Sequence, residues 1–194
     1  KVCSQINQWT QQGLNCVPVA INISLIDFSQ TDFMSKLVKH LADFTVSPKQ
    51  IELELTETSL EANQAHSLIL MKTLQSWGFT ISVDDFGVGY SNIARLADYP
   101  INKLKLDRSL ISQVTTSARQ QSLVRAIHNM CEELSIKCVS EGIETAEQVK
   151  IMADMGCKEF QGFYFSKPIT PKQFFAHVSQ KGLVFEHQDT LIKA

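Results

Sequence analysis

The sequence predicts an α/β domain built on a parallel sheet, and three observations lead to this fold class. The chain has 194 residues and 44% apolar content, enough for one well-buried domain. Short β-branched or apolar runs alternate with longer stretches that carry apolar residues at three- and four-residue spacing. Cap and turn signals separate these runs. Repeated βα units imply right-handed crossovers in a sheet that is either open and doubly wound or closed as a barrel.

Taken in order, the elements begin with a helix over residues 1–12, with Val2, Ile6 and Trp9 on one face. No capping residue precedes this helix, so we expect the chain to begin inside a domain. Strands are predicted at residues 17–24, 50–56, 80–84, 103–107, 137–142 and 159–164, and helices at residues 32–44, 59–77, 120–134 and 146–155. Six strands are two fewer than the eight-stranded barrel requires.

Cap residues support these boundaries. Ser47-Pro48, Thr145 and Thr170-Pro171 are typical helix starts, and Gly78 and Gly156 are typical helix ends. No linker or repeat is visible, so we predict a single domain over residues 1–194, with residues 182–194 as its C-terminal tail.

Composition excludes several classes of protein. The formal net charge is −2 and the basic residues are dispersed, which argues against DNA as a partner. The five cysteines include no CxxC pair, which argues for reduced thiols and against a disulfide framework or a zinc site. No apolar stretch approaches the roughly 18 residues that span a bilayer, and no signal segment opens the chain. We expect a cytoplasmic domain, although the full-length protein could carry a membrane anchor.

Asp84 and Asp85 end an apolar run and precede the glycine-rich segment 86–91. Two unit charges roughly 5 Å apart at an effective dielectric of about 20 repel by on the order of 3 kcal/mol. A divalent cation would turn this repulsion into coordination. The alternative is a polar loop in which one aspartate caps a helix and the other is solvated.

Polar residues also lie at the C-terminal ends of all the remaining predicted strands. The set comprises Asn22, Glu54, Glu57, Asp84, Asp85, Lys105, Asp107, Glu141, Glu144 and Gln161. Each alone is compatible with a turn, cap or solvated role, but the C-terminal ends of barrel strands converge on one mouth. Seven carboxylates with one lysine at such a rim favour a metal site. Because no histidine lies in these runs, the oxygen donors suit Mg²⁺ or Mn²⁺ and argue against zinc.

Such a set is suited to metal-assisted hydrolysis of a phosphodiester. Two ions can lower the pKa of a bridging water and stabilise charge on the phosphate oxygens. A lysine and a carboxylate can orient or deprotonate that water.

Six motifs together resemble the EAL domain family, in order and spacing, over nearly the whole chain from about residue 3 to residue 177. They are Asn22-Ile-Ser, Glu54-Leu-Thr-Glu, Asp84-Asp-Phe-Gly-Val-Gly-Tyr-Ser, Lys105-Leu-Asp-Arg-Ser, Glu141-Gly-Ile-Glu-Thr and Gln161-Gly-Phe-Tyr-Phe-Ser-Lys-Pro. The resemblance implies a TIM-like (β/α) barrel that hydrolyses cyclic di-GMP to linear pGpG with Mg²⁺ or Mn²⁺ and is inhibited by Ca²⁺.

The resemblance also implies a role for each site residue. It implies a first metal held by Asn22, Glu54 and Asp84, a second served by Asp84 and Asp85, and a supporting acid at Asp107. Lys105 resembles the lysine that holds the catalytic water, Glu141 the carboxylate that assists it, and Gln161 and Glu144 members of the substrate-binding ring. Glu57 resembles the glutamate that anchors the loop 86–91, which in this family links the metal site to a dimer interface, so a homodimer is expected.

The chain departs from the family pattern at its start. The Glu-Ala-Leu segment with its metal-binding glutamate, a nearby substrate-binding arginine and two strands should precede Asn22, and the sequence does not contain them. Either the sequence omits an upstream portion of the natural protein, or the barrel lacks a quarter of its strands. Unpaired sheet edges would be exposed in the second case, which favours the first.

Two other functions stay open at this point. A catalytically inactive receptor for cyclic di-GMP, or a protein-interaction module of the same fold, would explain the missing glutamate. A generic barrel enzyme acting on another phosphate ester would explain the metal site alone. We also expect a sensory or regulatory domain upstream in the full protein.

Overall fold

The computed structural model describes residues 1–14, 17–57, 64–88 and 96–181. Within these ranges six strands form one sheet, and every neighbouring pair is parallel. The strands are β1 (Val19–Ile23), β2 (Ile51–Thr56), β3 (Thr80–Phe86), β4 (Lys103–Leu106), β5 (Lys137–Ser140) and β6 (Glu159–Phe160). They lie side by side in chain order from β1 to β6. A doubly wound sheet reverses its strand order, so the sequential order identifies the barrel type.

Helices connect the strands. The described helices are α1 (Val2–Gln11), α2 (Leu25–Phe28), α3 (Phe33–Asp43), α4 (Gln64–Ser76), α5 (Arg108–Ile111), α6 (Ala118–Glu133), α7 (Ala146–Asp154) and α8 (Pro171–Lys181), with a 3-10 turn at Pro48–Gln50. Ser47 and Thr145 each form a capping box, as their positions in the sequence predict. In the part of the chain that the structure describes, no helix is both long and apolar enough to span a bilayer.

The sheet has one apolar and one polar face. In β2, Ile51, Leu53 and Leu55 are at most 1% exposed and belong to the main core. Glu52 and Glu54 alternate with them and therefore point to the opposite face. Large side chains from the helices complete the core, including Met71, Leu74, Ile111, Val124, Ile127, Cys131 and Met152. Helices on the apolar face and charges on the other correspond to the outside and the inside of a barrel.

The first and last described helices are in contact. The rings of Trp9 in α1 and Phe174 in α8 lie 5.1 Å apart, centroid to centroid. This contact brings the two ends of the described chain together. At the two edges of the sheet, β1 and β6 each pair with a single described neighbour.

Three differences from the predicted elements have local causes. The helices α2 and α5 were not predicted, and each begins at a side-chain cap, Ser24 and Asp107 respectively. Strand β6 ends at Phe160 instead of residue 164, because the backbone then turns to bond with the loop after β5: Ile143 N donates to Gln161 O at 3.1 Å. Residues 59–63 of the predicted long helix and the tail 182–194 lie outside the described residues.

Candidate active site

Four side chains from different strands meet at the C-terminal end of the sheet. The ammonium Nζ of Lys105 in β4 lies 2.6 Å from Glu54 Oε1, 2.7 Å from Glu141 Oε1 and 3.1 Å from Asp84 Oδ1. All four side chains are largely buried, with side-chain exposures of 7% to 15%. Three acids and one lysine are therefore drawn to a single point, as the sequence pattern predicts for the ends of barrel strands.

Strand register explains how distant residues reach this point. Asn22 lies opposite Glu54, and Thr56 lies opposite Asp84, so successive positions of β1, β2 and β3 are aligned. Since the side-chain period of a strand is two, aligned residues of neighbouring strands share a face. Asn22 thus lies on the polar face beside Glu54, and its own side chain is exposed because β1 is an edge strand.

The two neighbouring aspartates take different positions. The register of β3 against β4 shifts between Val83 and Phe86, which marks a bulge at Asp84-Asp85. Asp85 adopts a left-handed backbone conformation with φ of 56°, and its N–H donates to Asp84 Oδ1 at 3.0 Å. Aspartate tolerates this conformation better than most residues. The bulge directs Asp84 to Lys105 and leaves the Asp85 side chain exposed.

The proton equilibria of the cluster follow from its burial and charge. Burial alone would lower the pKa of Lys105, but hydrogen bonds to Glu141 and Glu54, together with their charges, raise it above its ordinary value. Burial raises the pKa of Glu141, and the nearby charges of Asp84 and Glu54 add to this effect, although the contact with Lys105 opposes it. Lys105 is therefore held in its cationic form, and the raised pKa makes Glu141 a stronger base than an ordinary carboxylate.

Asp107 lies two residues beyond Lys105 and acts as a helix cap. Its carboxylate accepts a hydrogen bond from Ser109 N at 2.8 Å and caps α5. Burial is the largest single effect and opposes ionisation, but the hydrogen bonds from Ser109 and Arg108 and the charge of Arg108 together outweigh it and hold the pKa of Asp107 below its ordinary value. The structure does not bring this carboxylate into contact with Lys105.

The remaining predicted site residues are half-buried or exposed. Glu144 forms an ion pair with Arg108, with Nη2 3.0 Å from Oε1. The side chain of Gln161 is exposed at the end of β6, and Glu57 is half-buried directly after β2. Residues 89–91 of the glycine-rich segment lie outside the described residues.

A second charged layer lies on the same face, one step toward the N-terminal ends of the strands. Lys103 Nζ lies 2.8 Å from Glu52 Oε2 and 3.6 Å from Glu159 Oε2. Sequence reasoning missed this layer and also the Arg108–Glu144 pair. The signal for the layer was present, because Glu52 and Lys103 each precede a predicted site residue by two positions, the period of a strand.

The cluster offers the right donors for a hard divalent cation, but in a closed arrangement. Three carboxylates already surround one cationic atom, and oxygen donors of this kind are what Mg²⁺, Mn²⁺ and Ca²⁺ bind. Across residues 1–14, 17–57, 64–88 and 96–181, no three Cys, His or acidic side chains are positioned to hold a metal ion as they stand. The donor chemistry therefore fits a divalent metal ion, and the Lys105 ammonium lies among the three carboxylates.

Comparisons with known proteins agree with this fold. YkoW, a signaling protein of Bacillus subtilis, is 36% identical over 174 residues, which cover 90% of this chain and 22% of that protein. The solved structure of the MucR phosphodiesterase of Pseudomonas aeruginosa in complex with c-di-GMP has a TM-score of 0.82 and 30% identity, and covers 89% of this chain and 70% of that one. The chain spans about a quarter of the length of the curated relatives it matches.

A third relative was solved with metal ions. Klebsiella pneumoniae BlrP1 in complex with manganese and cyclic di-GMP has a TM-score of 0.79 and 29% identity, and the match covers 88% of this chain and 44% of that one. The same protein was also solved with calcium and cyclic di-GMP. The family profile of the EAL domain matches residues 1–168. With these motifs, this sheet and these relatives, the chain belongs to the EAL domain family.

Proposed function

We propose that this chain is the phosphodiesterase domain of a longer protein and that it hydrolyses cyclic di-GMP to linear pGpG with a divalent metal ion. The observation that carries the proposal is the convergence of Glu54, Asp84 and Glu141 on Lys105. The complex of the related MucR phosphodiesterase with c-di-GMP supports the choice of substrate.

The metal is proposed to be Mg²⁺ or Mn²⁺. Asn22, Glu54 and Asp84 are the candidate ligands of one ion, Asp84 and Asp85 those of a second, and Asp107 a supporting acid. The solved structure of the related protein BlrP1 in complex with manganese supports a divalent ion of this kind. When bound, such ions activate water and neutralise charge on a phosphate.

The reaction needs one water molecule and breaks one of the two phosphodiester bonds in the ring. Lys105 and Glu141 lie 2.7 Å apart and can together orient a water, with Glu141 accepting its proton as the water oxygen bonds to phosphorus. The bond from phosphorus to the leaving sugar oxygen breaks, and that oxygen takes up a proton. The raised pKa makes Glu141 a stronger proton acceptor than an ordinary carboxylate.

Residues at the rim would position the dinucleotide. Gln161 and Glu144 are the proposed substrate contacts. Glu57 is proposed to hold the glycine-rich segment 86–91. We also propose that the chain works as a homodimer in the cytoplasm and receives its input from an upstream sensory or regulatory domain.

The test is a turnover assay on the full-length natural protein and on this chain. Each is incubated with cyclic di-GMP and Mn²⁺, and the products are separated by chromatography. We expect pGpG to accumulate and expect EDTA to stop its formation. Absence of product from the full-length protein, with Asp84 and Lys105 intact, would contradict the proposal.

A second candidate function is a receptor, and the closed arrangement around Lys105 is the observation that favours it. A receptor would bind cyclic di-GMP without forming product. Isothermal titration calorimetry in parallel with the assay separates the two: binding without metal-dependent product assigns a receptor, and no binding assigns a protein-interaction module.

A further inference from the structure

The ammonium of Lys105 contacts carboxylates that are also the proposed ligands of a metal ion. Its Nζ lies within 3.1 Å of oxygens from Glu54, Asp84 and Glu141, and the residue is 6% exposed. Two of these three acids are the candidate metal ligands named above. The ammonium and a metal ion therefore require the same carboxylate oxygens.

The charge balance of the cluster is incomplete. Three ionised carboxylates and one ammonium leave a formal charge of −2 around one point, so the site still attracts a divalent cation. An ammonium and a divalent ion repel strongly when both lie among the same oxygens in a partly buried site. While Lys105 contacts Glu54 and Asp84, its ammonium therefore opposes the binding of a divalent ion to the same oxygens.

We propose that Lys105 acts as an internal cation that competes with the divalent ion for Glu54 and Asp84, so that metal binding requires Lys105 to withdraw onto Glu141. This inference rests on the proposed function for the identity of the ion. It assigns Lys105 a role before the reaction begins, because its charge limits metal affinity.

The contacts of Lys105 indicate Glu141 as the acid onto which it would withdraw. The Lys105–Glu141 contact is already 2.7 Å long, and Glu141 follows β5, on the side of β4 away from β2 and β3. When Glu54 and Asp84 are released, their oxygens become available to a metal. The same movement leaves Lys105 and Glu141 paired beside that ion.

The test measures Mn²⁺ affinity without substrate, by isothermal titration calorimetry, for wild type, Lys105→Met and Lys105→Arg. Methionine keeps the length of the lysine chain and removes the charge, so we expect Lys105→Met to bind Mn²⁺ at least about tenfold more tightly than wild type. Lys105→Arg keeps the charge and should stay close to wild type.

Lys103→Met is the matched control. Lys103 lies two residues earlier on the same strand and face, but its contacts are Glu52 and Glu159. Its neutralisation removes the same charge from the protein and leaves the Lys105 contacts in place. A much smaller gain in affinity for Lys103→Met than for Lys105→Met separates local competition from a general change of charge.

Lys105→Met leaves three carboxylates without a cation and can destabilise the metal-free chain. In that case the Mn²⁺ titration is followed by recovery of helical circular dichroism, which gives the affinity through its linkage to folding. Unchanged or weaker Mn²⁺ binding by Lys105→Met would overturn the inference. If wild type still turns over cyclic di-GMP, the proposed function stands. If wild type shows neither Mn²⁺ binding nor turnover, the result would instead contradict the proposed function.

Discussion

At the scale of single residues, Asp84 is the member of the cluster whose loss should be most damaging. Asp84→Asn keeps the size of the side chain and removes one of the three charges that surround Lys105 Nζ. We expect Mn²⁺ affinity to fall at least about tenfold and turnover to become undetectable, because an amide oxygen binds a hard cation more weakly than a carboxylate. Calorimetry and product chromatography measure the two effects.

Glu52→Gln provides the matched control for this substitution. Glu52 is 7% exposed and lies on the same face of β2 as Glu54, but it contacts Lys103 instead of Lys105. Its substitution should leave Mn²⁺ affinity close to wild type. Equal losses in Asp84→Asn and Glu52→Gln would show that any buried acid on this face serves equally well.

Substitutions at Asp107 can separate its role as a helix cap from a role in supporting the metal ions. Asparagine caps helices as well as aspartate does, so Asp107→Asn should keep the stability of α5, whereas Asp107→Ala should cost about 1 kcal/mol. If Asp107 also supports the metals, Asp107→Asn loses turnover despite its intact fold. Chemical denaturation and the chromatographic assay report the two properties. Full turnover by Asp107→Asn would restrict Asp107 to the cap.

The pH dependence of the cap has a defined sign. Since the pKa of Asp107 is held below its ordinary value of 3.8, ionisation of this group favours the folded state. Its contribution is present above that value and is lost as the pH falls through the lower folded pKa. In metal-free buffer, the stability of wild type should therefore decline relative to Asp107→Asn below about pH 4, because asparagine does not titrate.

At the scale of elements, Gly162 fixes the end of β6 against the loop after β5. A Cβ at position 162 would lie 2.1 Å from the carbonyl oxygen and 2.3 Å from the nitrogen of Ile143. We expect Gly162→Ala to lower the free energy of unfolding by about 3 kcal/mol, the upper end of the cost of overpacking. Urea denaturation followed by circular dichroism measures the change.

Gly13→Ala is the comparison for this glycine. Gly13 has a φ of 81° and no atom near its missing Cβ, so alanine there meets only backbone strain of about 1 kcal/mol. A cost for Gly162→Ala as small as that of Gly13→Ala would mean that the Ile143 loop moves aside. Turnover should then fall, because the loop that moves also carries Glu141 and Glu144.

The elements show which parts of the fold could be predicted from sequence. The six strands and the helix start at Thr145 were predicted, since periodicity and caps are local signals. The early end of β6 was not, because it depends on bonds between Gln161 and Ile143, which the chain order does not reveal. Helix α5 was missed because Asp107 was interpreted as a supporting acid and its capping role was overlooked.

At the scale of the whole molecule, the sequence left the choice between an open sheet and a barrel to the family resemblance. The sequential strand order and the polar inner face decide it in favour of the barrel type. The meeting of Glu54, Asp84, Lys105 and Glu141 followed from the rule that strand ends converge. The direct contact of Lys105 with three acids could not be predicted, because it depends on side-chain rotamers.

This contact predicts how the whole chain responds to metal removal. Lys105 contacts the carboxylates of β2, β3 and the β5 loop, so its charge can balance part of theirs when metal is removed. EDTA should therefore abolish turnover while the chain still unfolds cooperatively, and the midpoint temperature should fall only by the amount that Mn²⁺ binding contributes. Thermal unfolding followed by circular dichroism, with and without EDTA, checks this. In Lys105→Met, which lacks the internal cation, EDTA should lower the midpoint temperature further than in wild type. Unfolding of wild type by EDTA alone would contradict the prediction.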